Sequence, residues 1–120
     1  MQIYFADRKI ELTEDDKLFM IRRLEGLEKF FKGAEPKFFV TIEKDYGNLH
    51  GEDLYRASLK IVDGTQNYFS EDKGEDVRKA FDEAYRDLFR IVRKDRARAQ
   101  ALMRSAGRFV KSIIRGKRRK

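Results

Sequence analysis

Residues 77 to 92 place Val77, Ala80, Phe81, Ala84, Leu88, Ile91 and Val92 three or four positions apart, and this run constrains the fold more than any other feature of the chain. At 3.6 residues per turn these side chains form one stripe along a helix, and a single apolar stripe has to be buried against another element. The acidic pair Glu75-Asp76 marks its start, where the exposed N–H groups and the helix dipole favour negative charge. An earlier stripe, Met20, Ile21, Leu24, Leu27 and Phe31, follows a capping Thr13 and the acids Glu14, Asp15 and Asp16, with Gly33 and Pro36 supplying the stop. The segments around and between these helices have the two-residue period of strands. Gln2–Ala6 alternates Ile3 and Phe5 with polar neighbours. Lys37–Lys44 sets Phe38, Val40 and Ile42 against Phe39, Thr41 and Glu43. Leu54–Val62 puts Tyr55, Ala57, Leu59 and Ile61 on one face. A polar loop, Asp45–Asp53, separates the last two, Asp63-Gly64 signals a hairpin, and a fourth strand follows over about Gln66–Glu71 with no clean alternation. The order β-α-β-β-β-α predicts an α+β fold with a four-stranded mixed sheet and both helices packed on one face.

With 120 residues, ten Phe and five Tyr, the chain suffices for one compact domain with one core. The chain has no Cys, which removes disulfides and thiolate chemistry and suits a reducing cytosol. The N-terminal residues lack a basic start with a long apolar run, and no stretch approaches the length needed to span a bilayer, so a soluble, cytoplasmic protein is expected. Catalytic chemistry finds little to work with. His50 is the single histidine and sits in a Gly-flanked loop, where no Cys or second His completes a metal site. Gly47 and Gly51 lack the Gly-Lys-Ser/Thr of a phosphate-binding loop, and the acidic runs lack calcium-loop spacing. No enzyme and no cofactor are expected.

Charge is strongly segregated. Residues 1–85 carry a net −5, whereas residues 86–120 carry +12, with only Asp87 and Asp95 among fourteen Lys and Arg. A polyanion gains most from such an arrangement, because every phosphate neutralised releases condensed counterions. Arg86, Arg90, Lys94 and Arg98, four residues apart and joined by Arg93, form one slowly turning ridge opposite the Leu88/Val92 stripe. A solvated helix face is the plain alternative, but such faces mix both signs. No Pro or Gly interrupts the helix before Gly107, and from residue 102 on Leu102, Met103, Ala106, Phe109, Val110, Ile113 and Ile114 repeat at helical spacing, with Arg104, Arg108, Lys111 and Arg115 on the other side. This basic amphipathic tail suits its own sheet, another copy, a protein groove or an anionic membrane. Gly116-Lys117-Arg118-Arg119-Lys120 has no apolar content and reads as disordered when unbound.

Three segments in this order resemble a known family. Ile10-Glu11-Leu12-Thr13 leads into the first helix, Arg23-Leu24-Glu25-Gly26-Leu27-Glu28-Lys29-Phe30 lies along it, and Gly74-Glu75-Asp76-Val77-Arg78-Lys79-Ala80-Phe81-Asp82 opens the second. Over about residues 2–98 the chain resembles the ribosome hibernation-promoting factors and ribosome-associated inhibitors, the ribosomal subunit interface proteins, in their short form. The resemblance implies a sheet backed by two helices, somewhat like a double-stranded-RNA-binding domain, docked on the small ribosomal subunit in the mRNA/tRNA channel. There it blocks translation and protects idle ribosomes. The partners implied are small-subunit rRNA and channel-lining ribosomal proteins, with no small-molecule substrate, no membrane and a monomer when free. The basic positions that match are Arg23 and Lys29 on the first helix and Arg90, Lys94 and Arg98 on the second. Arg86 and Arg93 on the same ridge join them as candidate rRNA-binding residues, and Arg104, Arg108, Lys111, Arg115, Lys117, Arg118 and Arg119 of the tail form a second set. Residues 1–98 are thus the expected ribosome-binding domain and residues 99–120 a basic extension.

The chain departs from the family pattern at Arg78, where an aromatic residue is usual, and at Gly26 and Asp87, where a basic one is common. No long C-terminal dimerisation domain follows, so the chain is not expected to pair ribosomes itself. The tail is expected to extend the second helix along the channel or onto a ribosomal protein, standing in for the basic side chains that Gly26 and Asp87 do not supply. Two other readings stay open at this point: a module for structured RNA away from the ribosome, and a protein- or membrane-surface protein working through its tail.

Overall fold

The computed structural model describes residues 1–31, 35–45, 54–64 and 66–118, with side chains as far as residue 105. Strand β1 (Gln2–Arg8) is followed by helix α1 (Glu14–Glu25) and a 3₁₀ turn (Glu28–Phe30). Strands β2 (Lys37–Asp45), β3 (Leu54–Asp63) and β4 (Gln66–Gly74) come next, and helix α2 (Val77–Arg118) ends the described chain. The strands lie in the order β1-β2-β3-β4, with β1 parallel to β2 and the other pairs antiparallel. This is the expected mixed sheet.

Both helices cover one face of it. Phe38, Val40 and Ile42 of β2, Ala57, Leu59 and Ile61 of β3 and Tyr68 of β4 point inward, where they meet Met20 and Leu24 of α1 and Ala80, Phe81, Ala84, Leu88 and Val92 of α2. The alternation read from β2 and β3 is therefore the core face. In β4 it continues through Ser70, a buried polar residue whose hydroxyl donates to the Ala84 carbonyl at 2.7 Å. An outward Phe69 beside the inward Tyr68, followed by a satisfied serine in the apolar register, is what blurred the pattern there. The strand also runs on past Glu71 to Gly74, and β1 past Ala6 to Arg8.

Thr13 caps α1 as expected, its hydroxyl accepting from the Asp16 N–H at 3.0 Å. The helix ends earlier than its apolar stripe. After Glu25 the chain tightens into i→i+3 bonds, from Gly26 N–H to Arg23 (3.1 Å) and Leu27 N–H to Leu24 (2.9 Å), so Leu27 and Phe31 reach the core from a turn rather than from the helix. The expected stop at Gly33, the loop carrying Gly47, His50 and Gly51, and the terminal Arg119-Lys120 lie outside the described residues. At α2, the Asp76 carboxylate accepts from the Lys79 N–H at 2.8 Å and closes the first turn.

Helix α2 has 42 residues, or about 63 Å at 1.5 Å per residue. Its core contacts stop at Val92, and the backbone continues without a break, so it does not fold back on the sheet. At the point of departure Tyr68 donates to Asp95, and Arg96 reaches Asp63 at the end of β3 at 2.5 Å while its guanidinium lies 4.8 Å from the Phe31 ring centre. Burial, then the Asp95 hydrogen bond, pushes the Tyr68 phenol up to about 12, so it stays a donor throughout the physiological range.

At the other end of the helix, Gly74 lets the start of α2 close onto β4. A Cβ at Gly74 would sit 2.5 Å from the Ala80 nitrogen, backbone that cannot yield cheaply. Gly74→Ala is expected to cost about 1–3 kcal/mol, as overpacking does, read as a lower urea midpoint with an unchanged slope; a midpoint equal to that of the parent chain contradicts this packing.

Candidate nucleic-acid interface

The expected basic residues divide into two groups. Arg23 faces Asp82 at 3.8 Å, Arg86 faces Glu83 at 3.8 Å and Arg90 faces Asp87 at 3.4 Å, so each of these cations on the body of the fold has an acid beside it. Arg93, Lys94 and Arg98, further along α2, are exposed and make no ion pair among the described residues; the same holds for Arg104. Lys29 belongs to neither group. Its ammonium lies 5.3 Å from the Phe30 ring centre and 5.4 Å from that of Phe89, and these two rings pack edge to face at 5.4 Å. It is a cation held on an aromatic floor, beside a groove of about 230 Å³ where Phe30, Arg96 and Met103 meet.

Helical register refines the ridge. Each step of four residues advances about 40° around the axis, so Arg86, Arg90, Lys94 and Arg98 wind across the exposed side instead of lying on one line. Arg86, Arg90, Arg93 and Arg104 keep closer to the side facing away from the sheet. The result is a cylinder of positive charge around the projecting helix rather than a flat basic face. Positions 108, 111, 115, 117 and 118 are helical in backbone, but their side chains lie outside the described residues, as does Arg119.

Sequence reasoning missed three features. Arg96 is basic but turned into the fold, with Asp95 beside it; the signal was their position in line with the Leu88/Val92 stripe. Gly26 has a neighbour that explains its size, because a Cβ there would lie 2.9 Å from the Tyr85 hydroxyl. A basic side chain at that position would require Tyr85 to move. Asp87, besides facing Arg90, lies against Asp72 of β4. The Asp72 carboxyl is pushed up to about 6 by a hydrogen bond shared with Asp87, then by burial, then by the charges of Asp87, Glu83 and Glu71. Its buried Oδ2 accepts no hydrogen bond among the described residues. Protonated, Asp72 becomes the donor that two facing carboxylates lack.

No group of His, Cys, Asp or Glu among the described residues has the arrangement of a metal site, and no described helix is long and apolar enough to cross a membrane. Residues 3–100 match the family model described as sigma 54 modulation protein / S30EA ribosomal protein. The chain belongs to this family. It is a family of ribosome-associated subunit interface proteins and not of enzymes, and it is the one that the three sequence segments resemble. Among solved structures, the N-terminal domain of Protein Y from Thermus thermophilus is 19% identical, with a TM-score of 0.64 over 78% of this chain and 98% of that one. A ribosomal subunit interface protein from Coxiella burnetii is 10% identical, with a TM-score of 0.67 over 81% of this chain and 99% of that one. At such identities the likeness shows the S30EA fold. No curated protein matches the sequence.

The Asp72–Asp87 contact has a pH signature. Between its ordinary value of 3.8 and about 6, the folded chain keeps a proton on Asp72 that the unfolded chain has released, so stability falls as pH rises through that window. Asp72→Asn is expected to raise the urea midpoint above pH 6 and to leave it nearly unchanged near pH 3.8. An equal gain at both ends contradicts the shared proton.

Proposed function

We propose that this S30EA-family chain is a hibernation-type factor of the cytoplasm that binds the small ribosomal subunit, occupies the path of mRNA and tRNA, and so blocks translation on idle ribosomes while protecting them. The observation that carries this reading is the location of the unpaired cations. On the body each candidate arginine has an acid beside it, whereas Arg93, Lys94 and Arg98 on the projecting half of α2 are free to exchange counterions for phosphate. The net charge of the body is negative, so the long-range field favours approach helix first. Arg93, Lys94 and Arg98 contact rRNA phosphates in this reading, with Lys29 at the foot of the helix. Arg23, Arg86 and Arg90 exchange their acid partners for phosphate at some cost. Residues 1–98 are the binding body, and the extension from 99 lengthens the same helix, adding Arg104, Arg108, Lys111, Arg115, Lys117, Arg118 and Arg119. An A-form surface is read through backbone and shape, which suits a rod of positive charge better than a pocket.

The test is co-sedimentation of the full chain with small subunits, large subunits and vacant ribosomes over a salt series. Salt-sensitive, stoichiometric binding to small subunits and vacant ribosomes, abolished when mRNA and initiator tRNA are loaded first, is the expected result. Replacing Arg93, Lys94 and Arg98 together by Gln should lower the slope of log affinity against log salt by about 2 to 3, close to one unit for each phosphate no longer neutralised. The same change at Arg23, Arg86 and Arg90 should lower it less. Deleting residues 99–120 should also weaken binding and flatten its salt dependence. Equal binding to purified hairpin RNA would instead favour a module acting off the ribosome, and no binding at low salt would remove the ribosomal reading.

A further inference from the structure

The face of the sheet turned away from the helices carries an aromatic row. Register pairs Tyr4 with Phe39, Phe39 with Lys60 and Lys60 with Phe69, so one line crosses all four strands. The three rings are exposed, at 46% for Tyr4, 37% for Phe39 and 55% for Phe69. Tyr4 and Phe39 stack on each other, 5.2 Å between centres and 16° from parallel, which supports the pairing of β1 with β2 and accounts for those two rings. It does not account for Phe69. That ring stands on an edge strand with no aromatic partner among the described residues, where bare apolar surface is a liability.

The charges around the row favour an anion. Lys60 lies within it, between Phe39 and Phe69, and Lys37 lies two residues before Phe39 on the same face; neither makes an ion pair among the described residues. The acids on this face are engaged. Glu71 is held by Arg56 at 3.1 Å, Asp45 by Arg56 and Lys73 at 3.3 Å each, and Glu43 has Lys9 at 4.0 Å. Strands about 4.8 Å apart put Phe39 and Phe69 about 10 Å from each other with an ammonium between them. A base against each ring brings the linking phosphate to Lys60.

We propose that this open face is a second nucleic-acid site, a stacking platform for single-stranded RNA in which Phe69 and the Tyr4/Phe39 pair take bases and Lys60 and Lys37 take phosphates. It lies on the opposite side of the sheet from α2 and is independent of the ribosomal reading. Every base has a flat face, so the site tolerates sequence and prefers unpaired strands to duplex.

The test uses the full chain and fluorescein-labelled oligo(A), oligo(U) and a matched RNA duplex, read by anisotropy, with ring-proton shifts followed by NMR. The parent chain should bind the single strands and shift the Phe69 and Tyr4 ring signals. Phe69→Ala should weaken oligo(A) on the order of tenfold, the loss of about one stacked base. Phe69→Leu, which keeps apolar bulk without a flat face, should weaken it nearly as much. Lys60→Gln should reduce the salt dependence. The Gln triple variant at Arg93, Lys94 and Arg98 should keep the ring shifts, which separates this site from the helix. Circular dichroism and the urea midpoint confirm that each variant folds. Oligo(A) binding unchanged in both Phe69 variants, or ring shifts abolished in the helix variant alone, overturns the proposal. A dimer in sedimentation that Phe69→Ala dissolves does so too, because the row is then a contact between copies.

Discussion

The structure depends on how closely α2 approaches the sheet. Ala80 and Ala84 take the positions nearest β4, Gly74 gives up a side chain to admit the first turn, and Ser70 spends its hydroxyl on the Ala84 carbonyl. With the backbones this near, Phe81, Leu88 and Val92 drive into the layer between helix and sheet and are fully buried. Full burial of each such side chain is worth about 1.5–3 kcal/mol. Helix α1 fills the remaining width with Met20 and Leu24, its Phe19 ring meeting Phe81 edge to face at 6.2 Å. The direction of the projecting helix follows from this seam, because Asp95 and Arg96 fasten it to β4 and β3 just where the apolar stripe ends.

The charges follow the same division. Where α2 lies on the body, acids from α1, from the turn before it and from its own preceding turns moderate its cations; where it leaves, the acids stop. The two carboxylates that interrupt the basic run are both used by the fold, Asp87 against Asp72 and Arg90, and Asp95 against Tyr68. A sequence that is basic from residue 86 onward thus yields a surface that is strongly positive only beyond Val92.

Much of this was legible from periodicity. The α2 stripe, except for Ile91, which turns out to be exposed, the Thr13 cap, the core faces of β2 and β3 and the mixed four-stranded order follow from spacing, because burial on one side leaves a period in the sequence. The early end of α1 did not, since Leu27 and Phe31 stay in phase for burial whether the backbone is α or 3₁₀. The inward serine of β4 hid a strand position, because its partner is a backbone carbonyl fourteen residues away. Which arginines are free was also invisible: Arg23 owes its acid to α2, and Arg96 looks as available as Arg93 until the β3 end comes beside it. Spacing along one helix says nothing about acids on another.

The unbroken passage of α2 through its exit point has a thermodynamic meaning. Starting a helix is the costly step, with a nucleation penalty on the order of 10⁻³, whereas adding residues to an existing end costs little. The segment after Val92 never has to start one. The folded domain acts as its template, so the projecting rod is supplied part-ordered, and a partner that grips it meets a smaller loss of chain entropy than it would with a free peptide of the same sequence.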